Sequence, residues 1–426
     1  MILKKIIPIA LVLFSSAIIA QDQVVEKFKF YGFIRSDMYY NSRQNIDAVD
    51  GVFNLSPKPI DLDDKGNDKN NVPQLHLSSI TTRMGVKING DSILGAKSSG
   101  VIEVDFGGLG INAATSKETN ITHLIRTRLA YVKLNWDQTE LLFGQSWHPL
   151  FANMLATGSA FTVGAPFQPF NRCPMIQLKH NLTPEFSITT AAISQLQFAS
   201  SGPIGQSPSY MNNAIIPEFF LGLEHKNKTL TNGIGGEVKT IKPSVNNITS
   251  MAAIAYSSYS KGKLQLKVKG LLGQNLSDQV MPWGYGIANL DANGNAMYTN
   301  HNLASGWING AYGKKVQVGF LLGYGKNLGT SSKLLADKDG LYKVYGNGFS
   351  TTNITATDKF GVQTILNQAY RSTAYISYIK SNFILGLEYE LTGAEYGTLN
   401  KNGLIVDKTN NSVNNNRVHL SASYLF

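Results

Sequence analysis

The chain reads as an all-β protein, a transmembrane antiparallel β-barrel of about 16 strands. Three observations predict that class. Apolar and polar residues alternate with period two in stretch after stretch, turning one face of each strand to lipid and the other to water. Connectors alternate between short and long, as around an outer-membrane barrel with short periplasmic turns and long external loops. The chain also opens on an export signal and closes on an alternating strand, RVHLSASYLF, that ends in Phe426.

In the opening MILKKIIPIALVLFSSAIIA, Lys4 and Lys5 form a basic start, Ile6 to Ile19 an apolar centre, and Ala20 a small residue before Gln21. Residues 1–20 therefore fit a signal peptide, leaving 21–426 as one barrel domain. Ile18 is an unusual residue so near the cut, so an uncleaved membrane helix is the alternative; the short run and Pro8 stand against it. No comparable apolar run follows, which argues against helical spans. The formal charge is +10, of which Lys4 and Lys5 supply two, and 15% of residues are charged. A basic balance suits nucleic acid, an anionic membrane or anionic solutes, and export disfavours nucleic acid. The single cysteine, Cys173, rules out an internal disulfide and is expected to be a small buried residue.

In chain order, Phe28 to Tyr40 is the first strand, with Phe28, Phe30, Gly32, Ile34 and Met38 facing away from Tyr31, Phe33, Arg35, Asp37 and Tyr39. A loop rich in Asn, Asp, Pro and Gly precedes a strand from Gln74 to Ile88, in which Arg83, Gly85 and Lys87 oppose Met84, Val86 and Ile88. Ser99–Phe106 sets Ile102, Val104 and Phe106 against Glu103 and Asp105. The arginine strand LIRTRLAYVKLNW and the strand TELLFGQSW follow. Strands are then expected near Met175–Lys179, Glu185–Phe198, Ala214–His225, Gly233–Ile241, Ile248–Tyr259 and Leu264–Gln274, and near His301–Tyr312, Val316–Lys326, Gln368–Lys380, Phe383–Tyr396 and Arg417–Phe426. Tyr39, Tyr40, Trp136, Tyr256, Tyr259, Trp307 and Tyr312 lie near strand ends, where interfacial aromatic girdles sit. In the last strand Val418, Leu420, Ala422, Tyr424 and Phe426 alternate with Arg417, His419, Ser421 and Ser423, as in strands that target barrels for outer-membrane assembly.

The arginine strand carries the functional expectation. Period two places Arg126, Arg128, Ala130 and Val132 on one face and Ile125, Thr127, Leu129 and Tyr131 on the other. A hairpin folding around Leu94 pairs Arg83 with Asp105 and Gly85 with Glu103. A turn centred between Trp136 and Asp137 pairs Arg126 with Trp147 and Arg128 with Gln145. Opposed residues share a face, so two charged rows are expected on the inner wall: Arg83, Asp105, Arg126 and Trp147, and beneath them Glu103, Arg128 and Gln145. Such charges need water or one another. They are a structural salt-bridge lattice, a field that sorts solutes by charge, or both.

Residues 148–173 form the second candidate. This loop carries no charge before Arg172, and Phe151, Phe161, Phe167 and Phe170 need cover. Folding into the barrel as a constriction supplies it; packing at a subunit interface or on the rim is the alternative. Asp61, Asp63, Asp64 and Asp68, with an echo at Asp337 and Asp339, lack calcium-loop spacing and read as acidic turns. The seven histidines show no metal-ligand spacing and no nucleophile motif appears, so no metal, cofactor or enzymatic activity is expected.

The order TTRMGVKING, GVIEVDFGG, LIRTRLAYVKLNW, ELLFGQSWHPLF resembles the DcaP-like porins of Gram-negative outer membranes over about Leu75 to Pro174. The matching positions are Arg83, Gly85 and Lys87; Gly100, Ile102, Glu103, Asp105 and Phe106; Arg126, Arg128, Ala130, Tyr131 and Val132; and Leu142, Gly144, Gln145 and Trp147. The resemblance implies a trimeric 16-stranded porin with a basic constriction passing small anions such as dicarboxylates. The coiled coil that precedes the first strand in that family is not evident here. The combined expectation is an anion-favouring porin with Arg35, Arg83, Lys87, Glu103, Asp105, Arg126, Arg128, Gln145 and Trp147 lining the pore. Its expected partners are small anionic solutes, outer-membrane lipid, the barrel-assembly machinery through the strand ending in Phe426, and two further copies of itself. A substrate-specific channel and a non-conducting adhesion or assembly surface are the alternatives.

Overall fold

A computed structural model describes residues 27–48, 51–108, 124–158, 164–347, 364–406 and 412–426. Sixteen antiparallel strands make the wall: β1 (Phe28–Asn41), β2 (Arg83–Ile93), β3 (Ala96–Gly108), β4 (Leu124–Asn135), β5 (Thr139–Trp147), β6 (Arg172–Asn181), β7 (Phe186–Ile193), β8 (Glu218–Lys226), β9 (Leu230–Ile241), β10 (Ile248–Lys261), β11 (Leu264–Gln274), β12 (Ala296–Gly313), β13 (Val316–Thr330), β14 (Thr364–Lys380), β15 (Phe383–Leu399) and β16 (Ser412–Leu425). Each pairs with its neighbours, and β1 pairs with both β2 and β16, so the sheet closes without an edge. Every strand expected from the sequence is present. The Gln74–Ile88 strand is broken: Gln74–Ser78 pairs with the upper part of β1, then Ser79–Thr82 forms a turn that tucks Ile80 inward. The strand expected from Glu185 stops at Ile193, and the one expected from Ala214 starts at Glu218, after a short helix, Ser209–Ala214.

Alternation is realised in the wall. Phe30, Ile34 and Met38 of β1 and Val418, Leu420 and Tyr424 of β16 lie exposed on the outside. Asp37, Tyr39, Arg417, His419, Ser421 and Ser423 are buried on the inside. The same parity corrects the aromatic girdle. Tyr40, Tyr259 and Tyr312 face outward as expected, but Tyr39, Tyr256 and Trp307 are buried, because each occupies an inward position of its strand.

The long loops share one turn. DDKGN (63–67), DANGN (291–295), DKDGL (337–341) and NKNGL (400–404) each begin with an Asp or Asn whose Oδ1 accepts the N–H groups two and four residues on. The fourth residue is always glycine at positive φ (Gly66, Gly294, Gly340, Gly403), which side chains rarely tolerate. The aspartates singled out in the sequence are thus occupied in turns: Asp63 and Asp337 cap backbone, Asp68 pairs with Arg43 and Asp61 with Lys69.

Two long loops enter the barrel. Loop L3 (148–171) lays Leu150, Met154 and Phe167 against inward-facing Ile254, Leu271, Leu303, Trp307 and Leu321. Loop L1 (42–82) inserts a hairpin, Asn45–Ala48 with Phe53–Pro57, whose Val52, Phe53 and Leu55 meet Phe151, Ala165 and Phe170 of L3. Each large apolar side chain so buried contributes about 1.5–3 kcal/mol. The loops thus cover the inner wall of β8–β15, where apolar side chains are interrupted by Glu218, Glu237, Lys239, Lys269, Arg371 and Glu390, while Arg83, Glu103, Asp105, Arg126 and Arg128 gather on β2–β4.

Candidate functional site

This charged cluster is built on two hairpins. Leu94 and Gly95, both at positive φ, form the tight turn between β2 and β3, which pairs Ile93 with Ala96; a register shift between Asn89 and Ser92 then brings Arg83 opposite Asp105 and Gly85 opposite Glu103, the pairing read from the sequence. Asp105 in turn lies opposite Arg126. Its carboxylate accepts from Arg126 Nε at 3.0 Å, Arg126 Nη2 at 2.8 Å and Arg128 Nη1 at 2.6 Å. Glu103 accepts from Arg128 Nε at 2.7 Å and the Tyr31 hydroxyl at 3.1 Å, with Arg83 Nε 3.5 Å away. Arg128 is 1% exposed, whereas Arg83 and Arg126 are each 19% exposed and reach the lumen. Lys87 is exposed and stands 5.4 Å over the Tyr31 ring.

β4 departs from regular alternation. Glu103 lies opposite Leu129 and Val104 opposite Thr127, so Arg128 is the extra residue of a bulge. Beyond it the faces exchange. Ala130 and Val132 are exposed on the outside, and Leu129 is buried, which corrects the expected grouping of both with the arginines. The β4–β5 turn is also centred later than expected, with Asn135 opposite Glu140, so Gln145 faces Ala130 rather than Arg128. Its amide Nε2 donates to the Thr127 and Arg128 carbonyls at 3.1 and 3.0 Å. Gln145 closes the gap the bulge leaves in the ladder and is buried, away from the lumen surface.

Trp147 lies opposite Arg172 rather than Arg126. Its ring is 4.7 Å from the Arg172 guanidinium, 5.4 Å from that of Arg128, and 4.5 and 5.2 Å from the Phe151 and Phe170 rings. Arg172 is 0% exposed; its Nε donates to Gln197 Oε1 at 2.6 Å. Phe151, Phe167 and Phe170 are buried, whereas Phe161 lies outside the described residues. Arg35 sits apart from the lattice, paired with Asp37 at 2.7 Å, and that carboxylate also receives Thr81 and His419 at 2.8 Å.

Sequence reasoning missed the groups that hold the loops. Arg371 on β14 and Lys269 on β11 are buried under L1 and L3, and period two marks both as inward but cannot name a partner. His148, Glu218 and Glu237 bring possible ligand atoms within 4.8 Å of one another. However, His148 Nδ1 accepts the Leu150 N–H at 3.2 Å, which leaves the ring proton on Nε2, 2.5 Å from Glu218 Oε1. Burial holds His148 below its ordinary pKa, in agreement with a neutral ring. That tautomer turns a proton toward the carboxylates, not the lone pair a metal needs.

No family model matches the chain, and no curated protein matches it in sequence. Solved structures do match. The outer membrane channel DcaP of Acinetobacter baumannii aligns with a TM-score of 0.65 at 17% identity, over 94% of this chain and 97% of that one. An anion-selective porin from Comamonas acidovorans aligns with a TM-score of 0.53 at 10% identity, over 94% and 99%. OmpT of Vibrio cholerae lacking loop L8 aligns at 0.51 and 11% identity, over 94% and 99%. At these identities the likeness is one of architecture, and it spans nearly the whole length of each chain. The protein has the sixteen-stranded porin fold, the fold of the DcaP outer-membrane channel.

Proposed function

We propose that this chain is an outer-membrane porin for passive diffusion of small hydrophilic solutes, favouring anions such as small carboxylates. One observation carries the reading. Among the described residues, Arg83, Lys87, Arg126, Arg128 and Arg172 gather around the two carboxylates Glu103 and Asp105 on β2–β6. That surplus of positive charge raises the local concentration of anions in a narrow low-dielectric passage. Arg83, Lys87 and Arg126 meet the solute; Arg128, Glu103 and Asp105 hold the lattice rigid; Trp147, Phe151 and Phe170 brace it at the root of L3. Arg35, paired with Asp37, lies apart from this cluster. The anion selectivity of the Comamonas porin agrees with the sign. The same reading has the chain exported by its signal peptide, delivered to the barrel-assembly machinery through β16, and assembled as a homotrimer through barrel walls.

The test is the reversal potential of the purified mature protein in a planar bilayer under a salt gradient. An anion-favouring potential that weakens in Arg126→Ala/Arg128→Ala is expected. A folded double mutant with unchanged selectivity would remove those residues from the role. A substrate-specific channel would differ by saturating with one solute. A second reading, a barrel whose loops serve as an adhesion or assembly surface, draws on the entry of both L1 and L3 into the lumen; a folded barrel without conductance would favour it.

A further inference from the structure

One row of inward-facing wall residues carries both lumen loops. Lys269 on β11 lies opposite Trp307 on β12, Trp307 opposite Gly323 on β13, Gly323 opposite Arg371 on β14, and Arg371 opposite Thr392 on β15. Opposed residues share a face, so five neighbouring strands present one continuous inward-facing ledge. Each member touches a loop. Lys269 Nζ donates to the Leu150 carbonyl at 2.6 Å and lies 3.3 and 3.4 Å from those of Phe151 and Met154. Trp307 Nε1 donates to Gln168 Oε1 at 2.9 Å. Gly323 leaves room for the Phe167 ring, which any side chain there would strike. Thr392 Oγ1 lies 3.4 Å from Asn54 Nδ2.

Arg371 joins the two loops. Its Nη1 donates to the Ala165 carbonyl of L3 at 2.6 Å and its Nη2 to the Asn54 carbonyl of L1. Its Nε donates to Thr392 Oγ1 at 3.1 Å and lies 3.2 Å from Glu390 Oε2, while Glu390 Oε1 accepts Asn54 Nδ2 at 2.6 Å. The guanidinium stands 5.6 Å from the Phe167 ring. A rigid planar fork can span two carbonyls in this way; an ammonium on a flexible stem cannot.

We propose that this ledge sets the bore of the lumen, and that Arg371 is its positioning residue, fixing how far L1 and L3 reach toward the arginine lattice. The proposal rests on the porin reading and adds to it a separation of roles. Bore is set by the β11–β15 wall, and charge preference by the β2–β4 wall. The hydrogen-bond and ion-pair partners of Arg371 are Glu390, Thr392 and two loop carbonyls, none of them shared with Arg126 or Arg128. Its loss should therefore change size selection without changing sign selection.

The test compares full-length wild type, Arg371→Ala, Arg371→Lys and Glu390→Gln by single-channel conductance, reversal potential and liposome swelling with uncharged sugars of increasing size. Arg371→Ala should raise conductance about twofold, since ion flow follows the open cross-section, admit larger sugars and keep the sign of the wild-type reversal potential. Arg371→Lys should fall between. Unchanged conductance and size limit in folded Arg371→Ala would overturn the proposal. If that variant does not fold, Glu390→Gln replaces it under the same criteria, because it removes the charge paired with the guanidinium and weakens the acceptor of Asn54 Nδ2. A wild-type barrel that does not conduct refutes the porin reading by itself. In that case Arg371→Ala opening a conductance supports the ledge, and a closed Arg371→Ala barrel overturns it.

Discussion

At the scale of single residues, Asp105 is the pivot of the lattice. One carboxylate receives three charge-assisted bonds from two arginines and a fourth from the Gly107 N–H at 3.1 Å. Asp105→Asn keeps the shape but leaves the arginines with Glu103 as their remaining acid. Breaking such a buried pair costs about 3–5 kcal/mol, and the lower end applies because Arg126 reaches lumen water. The expected outcome is a lower urea midpoint in detergent together with a stronger anion preference in bilayers. An unchanged midpoint would mean that the lattice does not bear on stability. The pairing of Arg83 with Asp105 was legible from a hairpin folded around Leu94, and it holds because a register shift between Asn89 and Ser92 offsets the turn that sets Ile93 opposite Ala96. Trp147 and Gln145 were not legible, because the β4–β5 turn is centred later than expected, which sets Gln145 opposite Ala130, and Trp147 pairs with Arg172 on β6 instead.

Among the elements, β4 and β5 show what that bulge accomplishes. Inserting Arg128 lets both Arg126 and Arg128 reach Asp105, then returns Ala130 and Val132 to the lipid side. Gly144 on β5 allows the neighbouring strand to follow: its φ is 123°, and a Cβ there would collide with the Ala130 carbonyl. Gly144→Val should cost about 1–3 kcal/mol of backbone strain, with steric clash added. Heat-modified gel mobility should then show a reduced folded fraction after refolding into detergent. Wild-type yield and midpoint would argue that β5 can straighten without consequence. L1 belongs to the same scale. Its Asn- and Asp-rich composition reads as an exposed loop, yet the short apolar run Val52–Leu55 takes it into the lumen.

For the whole molecule, one side of the wall seats loops and the other carries the arginine lattice. On the proposed reading, charge preference comes mainly from Arg83, Lys87 and Arg126, which are partly exposed and therefore screened by salt. With a Debye length of about 10 Å at 0.1 M and about 3 Å at 1 M, selectivity should decline steeply with ionic strength at a fixed gradient ratio. Reversal potentials measured across that range provide the check. Selectivity that persists at 1 M would shift the role to a dry binding station around buried Arg128 and Arg172.

The sequence by itself determined the barrel, its sixteen strands, the outward faces of most of them and the acid–base pairing of β2 and β3. The first three follow from local periodicity and short turns; the pairing also relies on the register shift between Asn89 and Ser92 that offsets the turn. The tertiary structure decided which aromatic residues face lipid, that L1 accompanies L3 into the lumen, and that Arg371, Lys269 and Trp307 form their seat. Those outcomes depend on contacts between residues far apart in the chain, such as Asn54 with Arg371, which become neighbours only when the sheet closes on itself. They depend equally on one inserted residue in β4, which reverses every later face of that strand.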